Sequence, residues 1–279
     1  MFTIGRRGSS LRGHTLHRGS RRLCVRRRRP VGGSMTEEMA DRVPTPGLPP
    51  RDVLIAQDEL LAPMRSRIFR RIGIAHLGPV LDLGAGPGVV TGELTRRARG
   101  PVIALDRDPV VKAAPAEACI VADAVELPFP ADHFELIYVQ YVFLWNDAEA
   151  RRRIIDEIVR VLAPRGVLVA VEPDYEAALE HPAEVAIAPV VAAAIRRAGG
   201  EPAVGRCLPA ELSRAGLSVR VEQSSELGPA DPARFDHLEG LLFTTEETSV
   251  IRSAERAARA LPEGQSLAHV PQLFITAAP

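Results

Sequence analysis

The stretch Val80-Leu81-Asp82-Leu83-Gly84-Ala85-Gly86-Pro87-Gly88-Val89-Val90-Thr91 constrains the fold more than any other part of the chain. An apolar run carries one acid and then breaks into glycines at alternate positions. Beyond them Val89, Val90 and Leu94 are interleaved with Thr91, Glu93 and Arg96, a helix-like alternation. The pattern predicts a strand, a tight turn and a helix start, where backbone N–H groups and the positive helix end face one spot. Glycines let the chain turn sharply there and let a ligand approach the backbone. The spacing argues against two nucleotide sites. A dinucleotide fingerprint needs a third glycine where Val89 stands, or where Thr91 stands if counted from Gly86, and no Gly-Lys-Ser/Thr follows to make a P-loop. Taken alone, the stretch also reads as a plain tight connection.

From Pro79 onward, strand-like and helix-like segments alternate, the sign of a parallel sheet with crossover helices. The apolar runs are Val80–Leu83, Val102–Leu105, Ala118–Ala122, Leu136–Val139 and Val167–Val171. Short, near-continuous and β-branched, they suit strands buried on both faces. The clearest helix is Asp147–Leu162, with Ile154, Ile155, Ile158, Val161 and Leu162 on one face. Asn146 or Asp147 can cap it, Glu149 lies in its first turn, and Pro164-Arg165-Gly166 stops it. Asp52 to Ile72 also reads as helix, with Asp52 a candidate N-cap and Pro63 dividing it in two. That helix either covers a pocket or packs on the sheet.

Acids stand at the carboxyl ends of successive strands, where an open α/β sheet takes its ligand. Asp82 belongs to the first. The second ends in Asp106-Arg107-Asp108-Pro109, and Asp106 lies about 20 residues beyond the glycine turn, placed to accept from a ribose. The third ends in Ala122-Asp123-Ala124, where Asp123 can accept from an exocyclic amine. Any one of these acids could be a solvated strand end; three in succession are harder to dismiss.

Composition bounds the remaining choices. Apolar residues make up 46 % and charged residues 25 % of the 279, ordinary for a soluble globular chain. No apolar stretch reaches the ~18 residues of a membrane span. Cys24, Cys119 and Cys207 are far apart and the seven histidines are scattered, which disfavours a metal site or a disulfide scaffold and suits a reducing cytoplasm. The formal charge of zero hides an asymmetry. Residues 1–35 carry ten arginines and no acid, so the remainder has 25 basic against 35 acidic residues, a net of −10. An acidic body with only 4 % aromatics does not read as a nucleic-acid surface. Residues 1–50 read as a disordered Arg-rich and then Pro-rich tail. A nucleic-acid or membrane arm and a transit peptide are alternatives for it; the reading adopted is that translation starts at Met35, just after Gly32-Gly33.

Together these residues resemble a class I S-adenosylmethionine-dependent methyltransferase, most of all the small-molecule type 11 group that includes ubiquinone and menaquinone biosynthesis methyltransferases. Residues 80–88 match its first motif, Asp106 its ribose-binding acid and Asp123-Ala124 its adenine-binding pair. Leu127-Pro128-Phe129-Pro130 with Phe134-Glu135 matches its Leu-Pro-Phe…Phe-Asp stretch, with Glu for Asp. Glu157 to Gly166 matches its Glu-x-x-Arg-Val-Leu-x-Pro-Gly-Gly helix end, with Arg165 for glycine. The likeness is dense over about residues 75–175.

The resemblance implies an α/β, Rossmann-like, seven-stranded and mostly parallel sheet with helices on both faces and one antiparallel C-terminal strand. The last two strands would be Ser218–Leu227 and Gln272–Ala277, preceded by a helix over Leu208–Ala215. The methyltransferase domain would span 51–279, with helical insertions at about 180–200 and 230–262 that roof the acceptor or pack on the surface. It implies S-adenosylmethionine as cofactor, held by Asp82, Gly84, Ala85, Gly86, Gly88, Asp106, Arg107, Asp123, Ala124 and Gln140. Tyr141, Trp145 and Glu172 are acceptor-side candidates, as is Asp174; many relatives have a histidine near Trp145, and this chain has none. The implied activity is methyl transfer to a small acceptor at O, N or C in the cytoplasm. Two alternatives are carried: a non-catalytic cofactor-binding module, and an NAD-linked oxidoreductase, which the glycine spacing disfavours.

Overall fold

The computed structural model describes residues 49–279 apart from 224–229, 231, 239–240 and 263. The Arg-rich stretch, Met35 and the end of the strand expected over Ser218–Leu227 lie outside the described residues.

Val80–Leu83 forms β1, buried along its whole length. It is flanked by β2 (Val102–Asp106) and β4 (Phe134–Gln140), both parallel to it, with β3 (Ala118–Val121) outside β2 and β5 (Leu162–Pro173) outside β4. The sheet is completed by β9 (Gln272–Ala278) against β5 and β7 (Ser218–Gln223) against β9. Both pairings are antiparallel, so β9 alone runs against the other strands. The order is β3-β2-β1-β4-β5-β9-β7. The strand order reverses between β1 and β4, with β2 and β3 added on one side and β4 and β5 on the other, so the crevice at the carboxyl ends opens where the loops after these two strands part company.

Strand alternation sorts the buried side chains into two layers. Leu81, Leu83, Ile137, Val139, Leu168 and Ala170 face one side and meet α3 (Ala148–Val161), α4 (Ala188–Arg197) and α5 (Val204–Arg214). Val80, Leu136, Tyr138, Val169 and Val171 face the other and meet α1 (Arg51–Arg71) and α2 (Thr91–Arg97). Asp82 shares the second side, in register with Tyr138.

α1 departs from expectation in two ways. Asp52 is not its cap; the helix starts after Pro50 without a side-chain cap, and Asp52 sits in the first turn. Nor does Pro63 divide it. The ring removes one backbone donor, but Leu61, Ile68 and Phe69 are buried as one face across that point, and Arg65 ties the second half to α2. α1 also does both things foreseen for it, packing on the sheet through these residues while Leu54 and Gln57 border the cavity described below. α3 begins as predicted, with Asp147 Oδ1 accepting from Ala150 N at 2.8 Å. Its end differs: the chain passes straight into β5, and Pro164–Gly166 is taken up by an irregularity between the Phe134–Leu162 and Leu136–Val167 pairs. Gly166 is required there, since a Cβ would lie 2.7 Å from Phe134 O. α5 starts at Val204, four residues earlier than predicted.

The insertion after β5 is less helical than expected. Short strand β6 (Leu179–His181) pairs antiparallel with β8 (Leu267–His269), and a single 3-10 turn, Ala183–Val185, precedes α4. The second insertion holds the 3-10 segment Pro232–Leu238 and α6 (Thr245–Ala260), opened by a reciprocal Thr244–Glu247 capping box. Phe235, Ala254 and Ala258 pack with Val185 and Ile187, so the insertions form a small core of their own.

Candidate active site

A cavity of about 570 Å³ opens over the carboxyl ends of β1, β2, β3 and β4. Asp82, Gly84, Ala85, Gly86, Asp106, Arg107, Asp123, Ala124, Gln140, Tyr141 and Trp145 all border it. Gly88 does not; it lies under the turn, where a Cβ would come 2.6 Å from Ala114 Cα. Glu172 is not brought into the cavity either. Every tyrosine of the chain (Tyr138, Tyr141, Tyr175) and its single tryptophan border this one space.

The glycine turn is held from two sides. Gly84, Gly86 and Gly88 have φ values of 74, 51 and 81°, a backbone region costly for side-chain-bearing residues. Gly84 N and Ala85 N both donate to Leu105 O, at 2.8 and 3.1 Å. Asp106 Oδ2 accepts from Gly86 N and Oδ1 from Asp108 N, each at 2.8 Å. One bond per oxygen leaves acceptor capacity on both. Asp123 Oδ1 accepts from Val125 N at 3.1 Å, which stiffens the loop after β3.

Asp82 is buried and accepts from Thr91 Oγ1 at 2.6 Å. Burial pushes its carboxyl up to about 7; the Thr91 bond and the Arg65 charge pull the other way, and Asp106 adds repulsion. Beside it Tyr138 donates to Gln140 Oε1 at 2.6 Å, and burial pushes that phenol far up. At the opposite end Tyr141 stands at φ 57°, donating to Gln272 Oε1 at 2.8 Å. Tyr175 is pushed up to about 12 by burial. Asp174 is engaged by Arg206 and by Ala177 N. Leu241, from the second insertion, reaches the cavity, whereas no residue of α4 does.

Several contributors escaped the sequence. Arg65, Tyr138 and Thr91 form the polar floor beneath the turn, but each lies on an apolar helix or strand pattern that advertises packing. The Leu127–Phe129 stretch and the Glu157–Arg160 helix end, two separate motifs in the sequence, are one contact. Leu127 N donates to Glu157 Oε2 at 2.7 Å, and Arg160 donates to Phe129 O and Leu127 O at 2.8 and 3.0 Å. Among the described residues no cluster of His, Cys, Asp and Glu has the makings of a metal site, and no helix is long and apolar enough to cross a membrane.

Residues 81–170, from β1 through most of β5, match the family described as methyltransferase domain. The chain carries a class I S-adenosylmethionine-dependent methyltransferase domain. A relative among characterised proteins is the malonyl-acyl-carrier-protein O-methyltransferase of Halorhodospira halophila, 33 % identical over 157 residues, or 53 % of this chain and 47 % of that protein. The match therefore spans less than half of that relative. In three dimensions the methyltransferase fold is shared with YcgJ of Bacillus subtilis, at TM-score 0.56 and 18 % identity over 76 % of this chain and 96 % of that one. It is shared also with the 4+2 cyclase SpnF, at TM-score 0.53 and 17 % identity over 77 % and 80 %. Identity at this level speaks for fold alone. The family's cofactor is S-adenosylmethionine, and the residues present fit it: a glycine turn beside a helix start, strand-end acids Asp82, Asp106 and Asp123 bordering the same space, and a cavity in the size range of small-molecule sites.

Proposed function

We propose that this chain transfers a methyl group from S-adenosylmethionine to a small, apolar or aromatic acceptor. The observation that carries the reading is that one cavity joins the glycine turn and its strand-end acids to a wall made of Tyr141, Trp145, Tyr175, Pro173 and Leu241. In this reading Asp82 takes the amino group of the cofactor's methionine part, and the N–H groups at the glycine turn face its carboxylate. Asp106 accepts from the ribose with Arg107 beside it, and Asp123 and Ala124 hold the adenine.

When bound, the cofactor supplies a sulfonium methyl, already an activated electrophile. What remains for the protein is to align the acceptor, exclude water and take up a proton where one is lost. The aromatic wall suits the first two tasks: it offers broad apolar faces to a flat acceptor and keeps the opposite end of the cavity free of fixed charge among the described residues. Tyr141 and Tyr175 are held as phenols by burial, so they do not act as bases near neutral pH, and the Tyr141 proton is already donated to Gln272 Oε1.

The test is transfer of label from methyl-labelled S-adenosylmethionine into host extract split at about 3 kDa, a cut-off that puts small metabolites on one side. Label in the small fraction, with S-adenosylhomocysteine formed in step, is the expected result. Label only in the large fraction would identify a macromolecular acceptor and overturn the small-molecule reading. Cofactor binding with label in neither fraction would favour a non-catalytic module. Asp106→Ala is expected to weaken S-adenosylhomocysteine binding by about 1–3 kcal/mol through lost charge-assisted hydrogen bonds. Titration calorimetry reads it, and an unchanged Kd would remove Asp106 from the site.

A further inference from the structure

The turn that follows β4 is anchored by one buried carboxylate. Val142 N and Phe143 N donate to Glu172 Oε1 at 2.9 and 2.8 Å, and Leu144 N donates to Oε2 at 3.3 Å. These are the orphan N–H groups that open the 3-10 turn Phe143–Trp145, the kind of groups a helix normally satisfies with a local cap. Here the cap comes from the neighbouring strand, 28 to 30 residues away in the chain. Glu172 is fully buried, and strand alternation puts it on the side of Leu168 and Ala170, behind the turn.

The rest of the turn is equally determined. Val142 O accepts from Trp145 N and from Asn146 Nδ2, Leu144 O from Glu201 N, and Asn146 O from Arg151 Nη1. Val142 also interlocks with the glycine turn, since a Cβ on Gly84 would lie 2.1 Å from Val142 Cγ2. On its other side the same turn presents Tyr141, Trp145 and Asn146 to the cavity.

We propose that Glu172 is a positioning residue: it grips the Val142–Leu144 backbone from behind and so sets where Tyr141 and Trp145 stand in the cavity, without touching cofactor or acceptor. The proposal rests on reading that cavity as the cofactor and acceptor site. It assigns Glu172 a role other than that of a base. A base must reach the acceptor, and Glu172 is fully buried behind the turn and does not border the cavity. It also accounts for the left-handed Tyr141: its N–H is bound to Val171 O, its hydroxyl to Gln272, and the next three N–H groups to Glu172. An unfavourable backbone conformation persists where its surroundings over-determine it in this way.

Trp145 is the chain's only tryptophan, so its fluorescence reports this turn without labelling. The full chain is compared with Glu172→Gln and Glu172→Asp at about pH 9, above the value of about 8 to which burial pushes the Glu172 carboxyl, so that it is ionised. The amide in Glu172→Gln keeps one acceptor and turns a donor toward the N–H groups. Acrylamide quenching of Trp145 is expected to rise about twofold and the Kd for S-adenosylhomocysteine about tenfold, the size of one lost charge-assisted bond. Glu172→Asp keeps the charge and is expected to recover part of both. Wild-type quenching and wild-type Kd in a folded Glu172→Gln would overturn the proposal. Should Glu172→Gln fail to fold, amide hydrogen exchange in the unaltered chain decides. Slow exchange of Val142, Phe143 and Leu144 is expected, and exchange at the rate of open loops would overturn the proposal. If the unaltered chain binds no S-adenosylhomocysteine, the cofactor reading fails, while quenching and exchange still judge Glu172.

Discussion

Arg65→Met is expected to destabilise the protein by about 3 kcal/mol, near the lower end of what breaking a buried ion pair costs. Arg65 is 2 % exposed. Its Nε donates to Glu93 Oε2 at 2.8 Å and its Nη2 to Asp58 Oδ2 at 3.0 Å, with Nη1 on Asp58 Oδ1. Asp58 lies two turns back on α1 and Glu93 in the first turn of α2, so one guanidinium fastens the N-terminal helix to the helix that follows the glycine turn. Methionine fills the space but removes the guanidinium from between two largely buried carboxylates. Asp58 loses its ion partner, whereas Glu93 keeps Arg97 at 2.5 Å, and that retained pair is why the loss is placed at ~3 kcal/mol and not higher. For a domain of this size that corresponds to a melting temperature lower by roughly 6–12 °C. Arg65→Lys restores charge without the planar fork and is expected to fall between the two. Thermal unfolding of the three proteins at one pH is the measurement. A change below about 1 kcal/mol in Arg65→Met, the size of an exposed pair, would mean that the bridge adds little to what Leu61, Ile68 and Phe69 already hold.

The second large effect is on cofactor affinity as a function of pH. With Asp82 pushed up to about 7 by burial, the empty site holds a proton there at pH 6. An ammonium group arriving beside the carboxylate favours its ionised form, so binding must expel that proton. The Kd for S-adenosylhomocysteine is therefore expected to fall roughly tenfold per unit between pH 5.5 and 7 and to flatten above. Calorimetry at pH 6.5 in buffers of different ionisation enthalpy should register proton release. Asp82→Asn removes both the slope and much of the affinity. Arg65→Met, by withdrawing a positive charge that holds the Asp82 pKa down, should move the midpoint upward.

Stability of the ligand-free protein carries the opposite slope. A carboxyl whose folded pKa lies above its unfolded value contributes stability that is complete below about 4 and lost as pH rises through 7. Glu172, which burial pushes up to about 8 against the three turn N–H groups, acts in the same sense. The ligand-free melting temperature is thus expected to decline from pH 5.5 to 8, and less so in Asp82→Asn. A flat Kd over pH 5.5–7.5 would take Asp82 out of contact with the cofactor's ammonium group.

Much of this was legible before any coordinates. The alternate glycines could serve only a turn of left-handed residues, and Gly84, Gly86 and Gly88 are all left-handed. The five β-branched runs could be buried only in a sheet covered on both sides, and the acids at their ends had nowhere to go but the crevice. The cap at Asp147 was a local side-chain-to-backbone bond, readable from three residues. Boundaries were less legible where packing outweighs propensity: Pro63 inside α1 and the passage from α3 straight into β5 depend on what the helix and strand rest against.

What the sequence by itself determined is the part of the protein governed by local chemistry: glycine turns, caps, strand periods and the order of the acids along the sheet. Tertiary structure alone decided which polar groups share a partner. Nothing in the spacing of Arg65 and Glu93, of Leu127 and Arg160, or of Glu172 and Val142–Leu144 announces that they meet. Such bonds join elements 28 to 33 residues apart or more, and they follow from strand order and from which face of each strand a side chain takes. Glu172 shows the consequence. Its position at the end of β5 reads as a place in the site, but a shift of one residue along a strand turns a side chain to the opposite face. That parity, together with three N–H groups left without a backbone partner, puts its carboxylate behind the wall of the cavity.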